Sequence, residues 1–190
     1  AVLETEKIPF ISYPFEWSFN QFKEAALFTL EIQKQCLEYG MLLKDASPYN
    51  VQFLNNKPIF IDILSFEKVK NKNYTWKAYN QFSEMFLSPL ILMSCIDLKF
   101  NCLLKEYING IPNDLLIKLL PIRKKMNPFI FTNYLIKSKA VAFEKKINIP
   151  ISVISKKQQI SIISYLESFI KKIKVNSEQS EWENYYLNSH

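Results

Sequence analysis

The sequence predicts a mainly helical α+β fold that contains one small β-hairpin. Several segments carry apolar residues at the three- and four-residue spacing of an amphipathic helix, whereas only the region around residues 51–62 is typical of paired short strands. With 190 residues, of which 48% are hydrophobic and 15% aromatic, the chain is long enough to bury one core. No apolar run reaches the roughly 18 uncharged residues that a membrane span requires, so we expect no transmembrane segment.

The first elements are a connector and a long helix. Residues 8–15 form a short apolar stretch whose two prolines suit an edge strand or an extended connector better than a central strand. Ser18 can cap a helix in which apolar residues recur at spacings of three, four or seven. Gly40 can adopt the left-handed conformation that ends helices, so we expect the helix to end there.

Two short strands are predicted next, at residues 51–54 and 58–62. Asn55, Asn56 and Lys57 would form the turn between them, because asparagine tolerates the positive φ angles of a tight hairpin. The pattern then becomes helical, with helices predicted at residues 76–90, 98–107, 112–120, 129–143 and 156–174. We divide the chain into one domain at 1–175, in which 1–17 is the connector, and a polar linker or docking tail at 176–190.

The cysteine and histidine content excludes several kinds of site. Cys36, Cys95 and Cys102 form no CxxC pair, which favours buried thiols in a reducing compartment over disulfides or a zinc site. The single histidine is His190, which argues against a histidine-activated nucleophile and against a histidine-rich metal site. We therefore expect a cytoplasmic protein.

The net charge of +6 permits an anionic partner. Arg123 is the sole arginine, whereas recognition of bases and phosphates favours the guanidinium fork, and this argues against specific nucleic-acid binding. Lysine-rich faces around residues 123–125 and 171–174 could meet phosphates or a membrane. A solvated helix face is the simpler interpretation of both.

Three polar side chains near the hairpin could converge on one point. Asp45 and Asn50 lie five positions apart in the preceding loop, and Asp62 ends an apolar strand, where a carboxylate is costly without a partner. The hairpin would fold Asp62 back beside the loop. Hard cations such as Mg²⁺ take carboxylate and amide oxygens in such a setting, with waters and phosphates completing the octahedron. The alternative is a loop aspartate, a turn asparagine and a capping aspartate with no shared role.

The motif Asp45-x-x-x-x-Asn50, followed by a hairpin and Asp62, resembles the catalytic loop and metal-binding aspartate of protein kinases. It resembles those of the aminoglycoside and choline phosphotransferases more closely. The resemblance implies a protein-kinase-like C-lobe with the small hairpin at its site. In that C-lobe Asp45 would be the catalytic base, and Asn50 and Asp62 would be Mg²⁺ ligands.

The same resemblance makes the connector a hinge that contacts adenine, with Tyr13 and Lys44 as the candidate nucleotide-binding residues. The sequence also departs from these families. Lys44 stands where these families usually have Arg or Gly. The segment Asp62-Ile-Leu-Ser-Phe-Glu67 stands in place of a motif of the Asp-Phe-Gly type. Because Gly40 and Gly110 are the only glycines, these 190 residues contain no glycine-rich phosphate loop.

A second resemblance covers residues 7–19, 43–53 and 58–67. These segments look like a family of bacterial proteins whose full-length members are commonly labelled SAM-dependent methyltransferases. In that family this region is N-terminal, and a class I methyltransferase domain follows a segment similar to residues 181–186. The resemblance implies that SAM is used only through a domain absent from this chain, and that a methyltransferase domain is a partner beyond the tail.

We therefore expect a nucleotide- and Mg²⁺-binding, phosphotransferase-like domain of a larger protein, with ATP as the nucleotide. Two alternatives stay open: a catalytically silent accessory domain that positions substrate for the methyltransferase, and a basic interaction module with no nucleotide site. Ser65 and Glu67 either hold the metal loop or cap the following segment. Trp17 and Tyr13 either stack on a base or pack as hydrophobic bulk, and packing is the preferred interpretation.

Overall fold

The computed structural model describes residues 7–136 and 153–175. Within these ranges the protein is mainly helical and carries two small antiparallel β-sheets, which confirms the predicted mainly helical α+β class. The helices are α1 (Phe19–Glu38), α2 (Tyr79–Phe82), α3 (Ser88–Cys95), α4 (Leu103–Glu106), α5 (Asn113–Leu119), α6 (Ile122–Lys125), α7 (Pro128–Ile130) and α8 (Lys156–Lys172). The strands are β1 (Met41–Leu43), β2 (Val51–Leu54), β3 (Lys57–Phe60) and β4 (Phe66–Lys68). No helix in the described ranges is long and apolar enough to cross a membrane.

Helix α1 begins and ends where the sequence predicts. The hydroxyl of Ser18 accepts from the backbone N–H of Gln21, and the Gln21 side chain accepts from the Ser18 N–H, so a capping box starts the helix. At the other end Gly40 has a φ of +66°, the left-handed conformation expected of a helix terminus. The inner face of α1 packs mainly on α8 and β1, and the ring of Phe22 contacts Phe86 with centroids 5.6 Å apart.

The predicted hairpin is β2–β3, with two corrections. Asn55 and Asn56 both have positive φ, but Lys57 pairs with Leu54 and is part of β3 rather than of the turn. Strand β3 ends at Phe60, so Asp62 does not end a strand. It caps a 3₁₀ turn, Ile63–Ser65, by accepting from the Leu64 N–H, because a short aspartate side chain readily closes such a turn.

A second sheet, β1–β4, was not predicted. Each of its strands has three residues, and Leu42 pairs with Glu67 across 24 intervening residues. A three-residue strand shows no alternation that a sequence reading could detect. This sheet nevertheless positions the loops on both sides of the hairpin, because β1 leads into the Asp45 loop and β4 follows the Asp62 turn.

The predicted helix at 76–90 is α2 and α3 joined by a π-helical segment, Ser83–Leu87. Trp76 lies before the helix, and its indole N–H donates to the Leu43 carbonyl at 2.9 Å. Within the π-helical segment the carbonyl of Glu84 accepts from the backbone N–H of Ile111 at 2.8 Å. A donor from another part of the chain therefore interrupts the regular hydrogen-bond pattern of the helix at this point, which is a recognised cause of irregular helical geometry.

The later helices agree with the predictions in part. The segment predicted as 98–107 divides into a 3₁₀ helix, Leu98–Cys102, and α4, whereas α5 lies within the predicted 112–120. Helix α6 was not predicted. The segment predicted as 129–143 is α7 followed by a π-helical turn, Phe131–Ile136, and its remainder lies outside the described residues. Helix α8 ends at Lys172, two residues early, and the predicted tail at 176–190 is also outside the described residues.

Residues 8–13 form an extended connector rather than a strand, and Pro14–Glu16 is a 3₁₀ turn. The side-chain amide of Gln52 on β2 accepts from the Ser12 N–H and donates to the Ser12 carbonyl, both at 3.0 Å. This pair of bonds fixes the connector beside the hairpin. Trp17 is buried among core residues and its ring meets Phe53 edge-on, which confirms the packing interpretation for Trp17.

All three cysteines are free thiols. Cys36 is buried in α1, and burial raises the pKa of its thiol to about 11. Cys95 is half-buried, and Cys102 is exposed on the 3₁₀ helix that precedes α4. The expectation of buried thiols is therefore right for Cys36 and wrong for Cys102. Cys102 lies on a short 3₁₀ helix, where the spacing of apolar residues does not predict which side chains face the core.

Candidate functional site

Asp45 is held in the loop between β1 and the hairpin by bonds to a single carboxylate oxygen. Its Oδ1 accepts from the Ser47 N–H at 3.1 Å and from the side-chain amide of Gln81 at 2.8 Å. The other end of that amide, Gln81 Oε1, accepts from the Ala46 N–H at 2.8 Å. The loop conformation and the start of the helix at 79–95 are thus tied together at Asp45.

Asn50 and Asp62 lie on either side of one hydroxyl group. The Ser65 hydroxyl donates to Asp62 Oδ2 at 2.6 Å, and the Asn50 amide Nδ2 donates to the Ser65 oxygen at 3.0 Å. Ser65 is fully buried, whereas Asn50 and Asp62 are half-buried. The backbone reinforces the arrangement, because the Ile61 N–H donates to the Asn50 carbonyl at 2.9 Å.

The protons in this chain of bonds fix which way the Asn50 amide faces. A serine hydroxyl has one proton, and Ser65 gives it to the Asp62 carboxylate, which can only accept. Ser65 can therefore only accept from Asn50, so the amide nitrogen faces Ser65 and the amide oxygen, Oδ1, faces away from it. The Asn50 side chain thus offers an amide oxygen and Asp62 a carboxylate, which are both donor types that Mg²⁺ accepts.

The cleft beside the Asp45 loop has a volume of about 720 Å³. Asp45 and Asn50 both line it, and Asp62 is not among its lining residues. Its other lining residues are Ser47, Tyr49, Gln81, Glu84, Met85, Ile108 and Asn109. Asn50 is thus the residue that connects the cleft with the Ser65–Asp62 pair.

The cleft carries two carboxylates, Asp45 and Glu84, and one phenol, Tyr49. Burial raises the pKa of Tyr49 above its ordinary value, because taking the tyrosinate out of water is costly. Tyr49 therefore keeps its proton at neutral pH and can donate a hydrogen bond into the cleft. A cleft of this polarity suits a ligand rich in hydroxyl or amino groups.

Lys44 and Tyr13 are both at the surface. The backbone N–H of Lys44 donates to the Ser65 carbonyl at 2.8 Å, so its main chain braces the Asp62 turn while its side chain is exposed. Tyr13 is 48% exposed, and its ring stacks on Phe15 with centroids 5.5 Å apart. The structure places both residues on elements next to the hairpin, and neither lines the cleft.

Ser65 and Glu67 have separate roles. The hydroxyl of Ser65 holds the Asp62 turn and Asn50 together, and its role toward a metal stays a prediction. Glu67 forms an ion pair with Lys77 at 3.4 Å and so connects β4 to the chain that precedes α2. Gln81 and Glu84 were not predicted, because they lie more than 30 residues after Asp45 and carry no local motif.

In the part of the chain that the structure describes, no three side chains of His, Cys, Asp or Glu cluster closely enough to hold a metal by themselves. Asp62 and Asn50 instead supply one carboxylate and one amide oxygen. Mg²⁺ is commonly held by one or two protein groups, with waters and substrate phosphates providing the remaining ligands. The donor set at Asn50 and Asp62 fits that pattern.

Comparison with known proteins gives one similarity that covers nearly the whole chain. The sequence is 33% identical over 195 aligned residues to nodulation protein NoeA of Rhizobium meliloti (strain 1021). The match covers 99% of this chain and 41% of that protein, so the chain spans less than half the length of its relative. No family model matches the sequence. No solved structure matches it either.

Proposed function

We propose that the chain is a protein-kinase-like C-lobe that binds ATP with Mg²⁺ and supports phosphoryl transfer to a small hydroxyl-bearing acceptor. The observation that carries the proposal is the Asn50–Ser65–Asp62 chain of hydrogen bonds, in which one buried hydroxyl orients two candidate metal ligands. The choice of a phosphotransferase rests on the spacing of Asp45, Asn50 and Asp62 and its resemblance to the small-molecule kinases.

The candidate metal ligands are Asn50 Oδ1 and the Asp62 carboxylate. When bound there, Mg²⁺ would neutralise phosphate charge, which is the largest task of a protein in phosphoryl transfer. The Asp62 oxygens each already accept one hydrogen bond, from Leu64 N–H and from Ser65. These bonds fix the carboxylate, and each oxygen keeps a further lone pair for a cation.

Asp45 is the candidate general base. Both of its hydrogen bonds go to Oδ1, and within residues 7–136 and 153–175 no group donates to Oδ2. Oδ2 is therefore the oxygen that can accept a proton from an acceptor hydroxyl in the cleft. Lys44 and Tyr13 stay predictions as nucleotide contacts: Lys44 follows β1 and its N–H donates to Ser65, whereas Tyr13 lies in the connector.

The larger context is also a proposal. Since the chain matches 41% of its relative, we infer that this domain works as part of a longer protein. The resemblance to the methyltransferase-labelled family supports a SAM-dependent domain as the neighbour. Cytoplasmic localisation is proposed on the same resemblance and on the free thiols.

A silent accessory domain is the second candidate function, and the bonds of Gln81 favour it. Gln81 bridges the Asp45 carboxylate and the Ala46 N–H, so Asp45 has a structural task that does not require catalysis. In this alternative the cleft positions a substrate for the neighbouring domain, and no phosphoryl group is transferred.

Calorimetry with ATP in the presence and absence of Mg²⁺ tests the proposal. We expect Mg²⁺-dependent binding that Asp62→Ala abolishes. Asp45→Ala should retain binding and lose any ATP turnover, because the base is not a metal ligand. Asp114→Ala is the matched control, since this exposed carboxylate forms an ion pair with Lys118 on α5.

The outcomes separate the candidate functions. Mg²⁺-dependent ATP binding without turnover in the unmodified chain supports the silent accessory domain. Absence of ATP binding at millimolar nucleotide, with a folded chain, overturns the kinase-like proposal. Equal loss of binding in Asp62→Ala and Asp114→Ala would show that the loss is not specific to the Asn50–Asp62 pair, because removal of a carboxylate by itself favours the binding of an anionic nucleotide.

A further inference from the structure

The structure brings two lysine clusters that are distant in sequence to one cavity. This cavity, of about 320 Å³, is lined by Lys124 of α6 and by Lys172 and Lys174 at the end of α8. Ser94 and Cys95, at the end of α3, form the third side. Three separate elements thus converge, whereas the sequence alone presents each cluster as a solvated helix face.

The floor of the cavity is apolar. Among its lining residues Ile91, Ile130 and Ile173 are buried in the core. Phe169 completes the floor, and its ring stacks on Phe129 with centroids 3.5 Å apart and planes within 3°. An apolar wall beneath charged groups lowers the local dielectric, so each ammonium attracts an anion more strongly than on an open surface.

Among the described residues, no carboxylate compensates the charge in the cavity. No carboxylate lines it, and the ion pairs in the described part of the chain involve other lysines, namely Lys34, Lys77 and Lys118. Burial lowers the pKa of Lys23 on α1, and repulsion from Lys174 lowers it further. This agrees with a positive potential around the end of α8.

Asn127 supplies a further hydrogen-bond donor to the cavity, besides the three lysine ammonium groups. It lines the cavity, and its Oδ1 accepts from the N–H groups of Phe129 and Ile130. Within the described ranges nothing accepts a hydrogen bond from its Nδ2. The polar groups available to a ligand are therefore mainly donors, which is the complement of a phosphate group.

We propose that this cavity binds a phosphomonoester attached to an apolar group. The phosphate would pair with Lys124, Lys172 and Lys174, and the apolar part would lie on the floor formed by Ile130 and Phe169. The volume is at the lower end of the range for small-ligand sites, which is about 300 to 1,000 Å³ and suits a short chain or a single headgroup.

The site is independent of the proposed phosphotransferase function. Gln81 lines the cleft at one end of the helical segment 79–95, and Cys95 lines this cavity at the other end. At a rise of about 1.5 Å per residue, the two residues are about 20 Å apart along the helix. No residue that the structure describes lines both the cleft and this cavity, so a ligand in the cavity would contact a different set of residues.

Titration of the 190-residue chain with hexyl phosphate, followed by calorimetry, tests the proposal. We expect the triple variant K124M/K172M/K174M to weaken binding about tenfold or more, because the three lysines would converge on one phosphate group. The control variant K57M/K68M/K157M removes the same charge from exposed lysines, and it should change the affinity by less than about twofold. Circular dichroism of both variants verifies folding.

Two further arms identify the chemistry and the source of the ligand. Inorganic phosphate should bind more weakly than hexyl phosphate, because it leaves the apolar floor uncovered. Flotation with phosphatidylcholine vesicles, with and without phosphatidic acid, distinguishes a lipid headgroup from a free phosphomonoester. Either source supports the proposal if hexyl phosphate binds and K124M/K172M/K174M weakens that binding about tenfold or more. Equal weakening in the two triple variants, or wild-type affinity in the cavity variant, would overturn it.

Discussion

One hydroxyl group decides the geometry of the candidate site. Ser65 is fully buried, donates to Asp62 and accepts from Asn50, so it sets the direction of two side chains that come from different sides of the hairpin. Removal of a group that orients metal ligands in this way typically lowers metal affinity by about 10- to 100-fold. The candidate site therefore depends on a residue that itself offers little as a ligand.

Replacing Ser65 with alanine tests that dependence. We expect Ser65→Ala to weaken Mg²⁺-dependent ATP binding by about 10- to 100-fold, because the Asn50 amide loses the acceptor that fixes its orientation. The loss in unfolding free energy should be about 1 to 3 kcal/mol, since the two hydrogen bonds of the Ser65 hydroxyl, to Asp62 and from Asn50, are removed. Calorimetry and urea denaturation measure the two effects.

Ser83→Ala is the matched control for Ser65→Ala. Ser83 is also a buried hydroxyl, and it donates to Asn113 and contacts the Tyr134 oxygen, away from Asp62. It should lower stability by a similar amount and leave nucleotide affinity unchanged. If both variants lost affinity equally, the effect of Ser65 would be one of general stability.

At the residue scale the sequence predicted the proximity of Asn50 and Asp62 but not how they are joined. Spacing alone suggested that a hairpin would bring them together, and the local turn residues Asn55 and Asn56 made that hairpin predictable. Gln81 could not have been found in this way. Its contact with Asp45 depends on how the helix at 79–95 packs against the loop, which is decided by the whole core.

At the scale of elements, the π-helical segment depends on a glycine. Gly110 has a φ of +100°, and a Cβ built on it would lie 2.8 Å from the carbonyl carbon of Glu84 and 2.8 Å from Met85 Cγ. The adjacent Ile111 N–H donates to the Glu84 carbonyl. The loop that carries Ile108 and Asn109 to the cleft therefore fits against Ser83–Leu87 only without a side chain at position 110.

Gly110→Ala should lower the unfolding free energy by about 3 kcal/mol or more, because backbone strain and a steric clash add together. Gly40→Ala is the control, since Gly40 also has a positive φ but a Cβ there would meet nothing within 4 Å. The control should cost only about 1 kcal/mol, from backbone strain alone. Urea denaturation compares the two, and an equal cost in both variants would contradict a close approach at Gly110.

The elements that the sequence predicted best are those with local signals. Helix α1 has a capping residue, an apolar repeat and a terminal glycine within its own segment, and α8 has a capping box at Ser155. Strands β1 and β4 and the break at Ser83–Leu87 have no such signals. They arise because distant backbone groups, such as the Ile111 N–H and the Glu84 carbonyl, meet only after the helices have packed.

At the scale of the whole molecule, one buried and one half-buried phenol make stability fall at alkaline pH. Burial raises the pKa of Tyr79 to about 12 and also raises that of Tyr134, which is 3% exposed. In the unfolded chain a tyrosine loses its proton near pH 10. Between about pH 10 and 12 the folded state retains protons that the unfolded state has released, so stability is fully present below pH 10 and is lost as the pH rises.

Tyr134→Phe should reduce that pH dependence. Each such tyrosine lowers the unfolding free energy by up to about 1.4 kcal/mol per pH unit within this window, and phenylalanine has no proton to release. Urea denaturation between pH 8 and 11.5 measures the slope of the unfolding free energy against pH. Cys36, whose raised thiol pKa lowers stability in the same direction, is present in both the unmodified protein and Tyr134→Phe, so it does not affect the comparison. Tyr39→Phe, at a position that is 82% exposed, controls for the loss of one hydroxyl group. If Tyr134→Phe lost stability as steeply as the unmodified chain above pH 10, Tyr134 would not be an interior group, and the packing of the helix at 79–95 against Phe131–Ile136 would need to be revised.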